Sequence, residues 1–532
     1  MCSNLWQYVT TDCGAAKGLT RYGHGYAHDA NETVAAMLNA GVDMSCGTPP
    51  GTPTILGTPG IPERIDSLRH KGEAGVAWPR VDAALSRLLT VQMRLGFFDD
   101  ASTVPYARIG PDVIDAPRHR ALAKEAADQS LVLLKNERAD LRYPPPALPL
   151  RRDSTHVVAV IGPLADNGMN MLGNYYGTPP TLVSPLDGVR AYAGTTLHAS
   201  GYDIDWAAEL ATRTDVDAVV LVVGLRSEAG AGRFSIELGG GAPMDEAEGL
   251  DRTSLLLPGR QQELVLRVSG AVSTAAAKRG VPAPPVVLVL ISGGSVDVSL
   301  FARSNPGLPS AILWCGYPGQ VGGAAIADAL WGATNPSGRL TTTWHDESFA
   351  RAVPKDRMAM RPLPELQHPG RTHRFFTGVP IFQFGHGLSY SRFRTTIATA
   401  APTVAARLPS SAMAWVDSRA LRSTIVVEVN VTVTHAGGPP GTEVVLLMAR
   451  PPEGIAGVDG APLQSLVAFT RVPLGISESR NVVLKLDALA LSHARRDGSR
   501  TLPAGVWSLW TGVRDDDDAE GMGARSLKVW LR

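Results

Sequence analysis

The sequence predicts a multidomain α/β chain that ends in an antiparallel β-sandwich, and three observations carry that prediction. Residues 1–100 hold two strand-and-helix units, which is the tail of a (β/α)8 barrel rather than a closed one. Residues 146–350 hold strands that are continuous apolar runs, the pattern of a mainly parallel sheet covered by helices on both faces. Beyond residue 400, apolar and polar residues alternate in runs separated by turn residues, the pattern of a sandwich. The expected organisation is a barrel remnant over 1–100, a linker with a connecting helix over 101–145, the α/β sandwich over 146–350, a connector over 351–400 and the β-sandwich over 401–532.

In chain order, Trp6 to Thr11 reads as a strand, Asn31 to Ala40 as a helix and Gly41 to Met44 as a second short strand. Val81 to Leu95 reads as an amphipathic helix with Val81, Leu85, Leu88, Leu89, Gln92 and Leu95 near one face. Arg118 to Ser130 is helical, and Tyr143-Pro144-Pro145-Pro146 breaks structure before the next unit. That unit contributes the strands Val157 to Ile161, Ala218 to Val223 and Val286 to Ile291, with helices such as Gln261 to Val268 and Ala324 to Leu330 as covers. Gly230 to Gly241 is glycine-rich and reads as a flexible loop. The sandwich strands are Ser423 to Val433, Thr442 to Ala449, Leu463 to Val472, Ser479 to Lys485 and Gly505 to Val513.

Composition narrows the function. Fifty Lys and Arg balance fifty Asp and Glu, so no net field draws nucleic acid or an anionic membrane. No run approaches the roughly 18 apolar residues that span a bilayer. Met1 to Trp6 shows neither a basic segment nor an apolar core of a signal peptide. Four cysteines, Cys2, Cys13, Cys46 and Cys315, form neither a disulfide framework nor a Cys-x-x-Cys metal pair. Neither a metal nor an organic cofactor is expected, and a neutral, locally recognised ligand such as a sugar fits.

Two carboxylate clusters carry the chemistry. Asp12 follows the first strand-like run, and Asp245-Glu246-Ala247-Glu248-Gly249-Leu250-Asp251-Arg252 follows the Ala218 to Val223 strand. The second cluster therefore falls outside the carboxyl end of a parallel sheet, where α/β ligands bind. Cleaving a glycosidic bond needs one ionised carboxylate and one protonated carboxyl, and a separation of about 5 to 5.5 Å means retention of configuration.

Segments spread along the chain then resemble glycoside hydrolase family 3, nearer its β-xylosidase branch than its β-glucosidase branch. They include Thr11-Asp12-Cys13-Gly14-Ala15, Gly41-Val42-Asp43-Met44-Ser45-Cys46, Gly173-Asn174-Tyr175-Tyr176-Gly177 and Glu248-Gly249-Leu250-Asp251-Arg252. Leu257-Pro258-Gly259-Arg260-Gln261, Asn335-Pro336-Ser337-Gly338-Arg339-Leu340 and Phe384-Gly385-His386-Gly387-Leu388-Ser389-Tyr390 follow in the family's order. The resemblance implies a (β/α)8 barrel, an α/β sandwich and a fibronectin type III-like domain. It implies Asp12 as catalytic nucleophile and Glu248 as acid/base, with Glu246 as the alternative acid/base. It implies a Cys13–Cys46 disulfide bracing the nucleophile loop, a substrate that is an oligosaccharide or glycoside, and a secreted location for an intact homologue.

His24 is a further candidate for contacting sugar, while Trp314, Tyr317 and Asp43 read as structural and Cys315 as a core thiol. Two departures from the family pattern stand out. Most of the barrel that should precede Asp12 is not in the sequence, so the expectation is an N-terminally truncated chain with most sugar-binding residues missing. The stretch Leu225 to Asp245 also lengthens the loop that leads to Glu248. The expected activity is exo-acting, retaining hydrolysis of terminal β-D-xylosyl residues, with α-L-arabinofuranosyl residues as a further substrate. The alternatives are a β-glucosidase of the same family and a catalytically inactive fragment.

Overall fold

A computed structural model describes residues 7–12, 15–19, 25–46, 77–137, 146–227, 245–247, 250–303, 305, 307–354, 357–399, 403–404, 424–458, 460–495, 500–512 and 526–531. The chain divides into two compact units, Met1–Ala116 and Pro117–Arg532.

In the first unit, α1 (Ala30–Ala40) starts at Asp29, whose side chain accepts from the Glu32 N–H, and stops at Gly41 in the left-handed conformation. Both are ordinary stop and start chemistry for a helix. The two expected strands are reduced to one parallel bridge between Thr10 and Met44. The second helix, α2 (Trp78–Arg94), begins with Pro79 in its first turn. Its expected apolar face is partly buried: Val81, Leu88, Leu89 and Gln92 are half-buried, while Leu85 and Leu95 are 50% and 48% exposed and Ala84 is the fully buried residue of the helix. Among the described residues of this unit the apolar cluster is Val34 and Ala35 with Leu38 and Val81 against them.

The second unit opens with α3 (Pro117–Ser130) and β1 (Val132–Asn136). Then come β2 (Val157–Ile161), α4 (Pro185–Arg190), β3 (Thr195–Ala199), α5 (Ile204–Ala211) and β4 (Ala218–Gly224). The helix α6 (Gln261–Arg279), β5 (Val286–Ile291), β6 (Ala311–Trp314) and α7 (Gly322–Leu330) complete the layer. The six strands form one sheet in the order β1-β6-β5-β4-β2-β3, and only β1 runs antiparallel to its neighbour. Every residue of β4 and β5 is buried, as the unbroken apolar runs predict. Two apolar clusters pack the sheet's two faces, one including Val219, Leu221, Leu288 and Leu290, the other Val220, Val222, Val287 and Val289. Because β1 belongs to this sheet, the segment 101–145 is not wholly a linker.

The sandwich begins earlier than expected. Residues 392–399 form β7 (Arg392–Thr399), which joins β9 (Ile425–Gly437) and β12 (Ser479–Asp487) in the order β12-β9-β7. The opposing sheet has the order β11-β10-β15-β16-β8, from β8 (Thr403–Val404), β10 (Gly441–Arg450), β11 (Ser465–Leu474), β15 (Gly505–Thr511) and β16 (Ser526–Leu531). A two-stranded ribbon, β13 (His493–Ala494) with β14 (Arg500–Thr501), stands beside them.

Two of the sequence segments noted above tie this sandwich to the α/β layer. The Asn335 amide donates to Ser391 Oγ at 2.7 Å and to the Pro440 carbonyl at 3.2 Å, while its oxygen accepts from Ser389 and the Tyr390 N–H. Arg339 pairs with Glu443 at 2.9 Å.

Candidate active site

The carboxyl edge of the parallel sheet builds a cavity of about 970 Å3, lined by Asn174, Tyr175, Ser227, Glu246, Asp251 and Arg252 among others. Its acidic loop is pinned at both ends. At the start, Asn170 donates to the Leu225 carbonyl at 3.0 Å and accepts from the Ser227 N–H at 2.9 Å. At the far end, the Gln261 side chain accepts from the Gly224 N–H at 2.7 Å and donates to its carbonyl at 3.0 Å. The Leu-Pro-Gly-Arg-Gln segment thus ties the return of the loop to the end of β4. Asp245 accepts from the Arg226 N–H at 2.8 Å, and burial, outweighing that bond, pushes its carboxyl up.

Glu246 is engaged through both of its carboxylate oxygens. Its Oε1 accepts from the Tyr317 hydroxyl at 2.7 Å and the Gly293 N–H at 2.9 Å, and its Oε2 pairs with Arg252 at 2.9 Å. Burial first, then the Glu246 charge and hydrogen bond, push the Tyr317 phenol far up, so it stays a donor. The arrangement depends on two glycines after β5. A Cβ on Gly293 would lie 3.0 Å from both Glu246 Oε1 and the Tyr317 ring, and one on Gly294 would lie 3.2 Å from the Arg252 guanidinium. Ala247 and Leu250 exchange backbone hydrogen bonds of 3.1 and 3.0 Å across the turn. Glu248, between them in sequence, lies outside the described residues.

In the first unit, Asp12 is exposed and its carbonyl accepts from the Ala15 N–H at 3.2 Å. The segment before it is held to 42–46 by polar contacts. The Thr11 N–H donates to the Met44 carbonyl at 3.1 Å, and the Thr11 hydroxyl donates to Ser45 at 3.3 Å and accepts from the Cys46 N–H at 3.1 Å. Asp43 is the anchor: its side chain, 1% exposed, pairs with Arg80 at 3.1 Å and with Arg87 at 2.5 Å and accepts from the Val9 N–H at 3.0 Å. Burial raises the cost of its charge, but Arg87, the Val9 N–H and Arg80 outweigh that and hold the carboxyl down at about 2. Asp43 is therefore structural, as its sequence position suggested. Cys46 is disulfide-bonded, whereas Cys315 is a free thiol buried in the sheet core. Cys13 and His24 lie outside the described residues.

A mainly parallel sheet followed by a β-sandwich, with an acidic loop at the carboxyl edge of the sheet, defines the class of fold. Residues 131–390 match the glycosyl hydrolase family 3 C-terminal domain, and residues 443–514 match the fibronectin type III-like domain. The segment 131–390 is thus a glycosyl hydrolase family 3 C-terminal domain, followed by a fibronectin type III-like domain. It is 36% identical to beta-D-xylosidase 1 of Arabidopsis thaliana over 526 residues, covering 95% of this chain and 61% of that protein. It is 34% identical to beta-xylosidase/alpha-L-arabinofuranosidase 1 of Medicago sativa subsp. varia, covering 95% and 60%. The solved GH3 exo-beta-xylosidase XlnD, in complex with a xylobiose aziridine activity-based probe, superposes with a TM-score of 0.77 at 26% identity, covering 99% of this chain and 61% of that one. The chain thus spans about 60% of the length of the curated relatives it matches.

Sequence reasoning missed the Ser292-Gly293-Gly294 corner and the Ala350, Val353 and Pro354 wall of the cavity. The glycine pair directly after an unbroken apolar strand was the available signal, because close approach at a parallel strand's carboxyl end favours glycine.

Proposed function

We propose that this protein is an exo-acting, retaining β-glycosidase for terminal β-D-xylosyl residues, with α-L-arabinofuranosyl residues as a second substrate. In the first step the Asp12 carboxylate attacks the anomeric carbon while Glu248 gives its proton to the leaving oxygen, so the C–O bond to the aglycone breaks as the glycosyl-enzyme ester forms. In the second step Glu248 takes a proton from water, whose oxygen displaces Asp12 at the same carbon and restores the β configuration.

The observation that carries this reading is the acidic loop at the cavity, where Glu246 already serves as acceptor for Tyr317, Gly293 and Arg252. A proton donor needs a different environment, which supports Glu248 over Glu246. The names of the relatives support the xylosyl preference. The Cys46 disulfide supports a secreted location, because such bonds persist in oxidising compartments, and Cys13 is its proposed partner.

The test is turnover of aryl β-xylosides by the 532-residue chain. Turnover that Asp12→Ala removes would support the reading. Glu248→Gln should slow poor leaving groups far more than good ones, and that selectivity arising from Glu246→Gln alone would reverse the assignment. No turnover by the unaltered chain would favour the inactive-fragment alternative.

A further inference from the structure

Charge is evenly balanced over the whole chain, yet residues 351–374 carry six Lys and Arg against two Asp and Glu. This stretch leaves the cavity wall at Val353 and Pro354 and runs onto the sandwich, where the Leu463 N–H donates to the Arg374 carbonyl at 2.8 Å and Gln464 donates to the His373 carbonyl at 3.0 Å. Arg361 and Arg374 flank one aromatic ring, their guanidinium carbons 5.1 and 5.6 Å from the centroid of Phe375. Both residues are exposed. Arg500, from β14, adds a third positive charge to the field at Arg374 and is held by Ser492 at 3.0 and 3.2 Å.

Two arginines of the same unit meet acids, Arg252 with Glu246 and Arg339 with Glu443. Arg361, Arg374 and Arg500 form no ion pair with an acidic side chain among the described residues, and Arg361 spends one N–H on the Gly460 carbonyl at 3.1 Å. Burial and then the Arg500 and Arg361 charges make the Arg374 guanidinium easier to deprotonate than usual, and burial followed by the Arg374 charge holds His373 down at about 4. Like charges gathered with no counter-charge among the described residues cost stability, and such an arrangement is characteristic of a surface kept for an anion.

We infer that Arg361, Arg374 and Arg500 form a binding patch for the carboxylate of an acidic saccharide, outside the cleavage site. A planar guanidinium donates two parallel N–H groups to one carboxylate in fork geometry, and the buried Phe375 ring that both Arg361 and Arg374 approach holds the two guanidinium groups in one neighbourhood. A uronic acid branch on a xylo-oligosaccharide supplies that group. The saccharide part of this inference rests on the proposed glycosidase reading.

The test is calorimetric titration of the 532-residue chain at low salt with a xylo-oligosaccharide bearing one glucuronic acid branch, beside the same molecule with its carboxyl reduced to an alcohol. The acidic form is expected to bind about tenfold or more tightly. That preference should vanish in Arg361→Gln/Arg374→Gln, weaken in Arg500→Gln on its separate element, and shrink with added salt. In the absence of sugar, Arg374→Gln should leave the melting temperature unchanged or raise it, because it relieves repulsion. Equal affinity for the two sugars, or a preference that survives the double variant, overturns the patch while leaving the glycosidase reading intact. Binding of neither sugar overturns both.

Discussion

The two carboxylate-bearing regions are built on opposite principles. The acidic loop around Glu246 stands on a sheet whose central strands β4 and β5 are buried from end to end, and the loop's ends are stapled to that sheet by Asn170 and Gln261. Among the described residues of the unit that carries Asp12, the apolar cluster is small and polar ties are prominent, above all Asp43 between Arg80 and Arg87. One region is positioned by apolar burial with polar locks added at its rim, the other by ion pairs with little burial behind them. The same substitution should therefore have different consequences in the two.

The largest contrast is expected from truncating leucines. Leu290→Ala in β5 removes a side chain with no exposed surface and should cost about 2–5 kcal/mol, read from the urea midpoint of the second unit. Asp43→Ala comes next. It strands two arginines whose shared carboxylate is buried, and should cost the first unit on the order of 3 kcal/mol, seen as faster hydrogen exchange at Val9, Asp43 and Met44 while β4 and β5 stay protected.

Acid should separate the regions without any mutation. His345 is buried against Phe349 at 3.8 Å, and burial holds it down at about 4 from an ordinary 6.5; His373, stacked on Phe384, is held at about 4 by burial and the Arg374 charge. A histidine kept neutral by the fold contributes stability that is complete above 6.5 and is lost as pH falls toward 4. Asp43, held at about 2 from 3.8, contributes stability that is present above 3.8 and is lost only as pH falls through 2. Exchange measured down a pH series should therefore loosen the 345–376 segment before the Asp43 network, and the reverse order would contradict the comparison. The smallest effect is expected from Leu85→Ala in α2, half exposed, which should change stability by less than about 0.5 kcal/mol.

What was legible in the sequence follows the same division. The runs at 157–161, 218–223 and 286–291 were readable because a strand buried on both faces leaves no polar alternation. The sandwich strands were readable from alternation, although β7 was placed in a connector because its burial is only partial. In the first unit periodicity was followed only in part: Val81, Leu88 and Leu89 on the apolar face of α2 are half-buried, but Leu85 and, just past the helix, Leu95 are about half exposed. Amphipathic spacing reports what a helix is able to bury, and the available partner decides what is buried. Asp12 and Glu248 came from motif resemblance, not from physics alone, whereas the Glu246 engagement with Tyr317, Gly293 and Arg252 joins positions up to 71 residues apart and left no local trace.

The proposed mechanism stands or falls on whether Asp12 is the residue that takes the sugar. It is tested most directly by incubating the protein with a 2-deoxy-2-fluoro-β-xylosyl fluoride, which slows release of the glycosyl-enzyme, and locating the added mass by peptide mass spectrometry. The account predicts one fluoroxylosyl group on the peptide that contains Asp12, lost in Asp12→Ala and retained in Glu246→Gln. A label on any other carboxylate, or one that persists in Asp12→Ala, would contradict it.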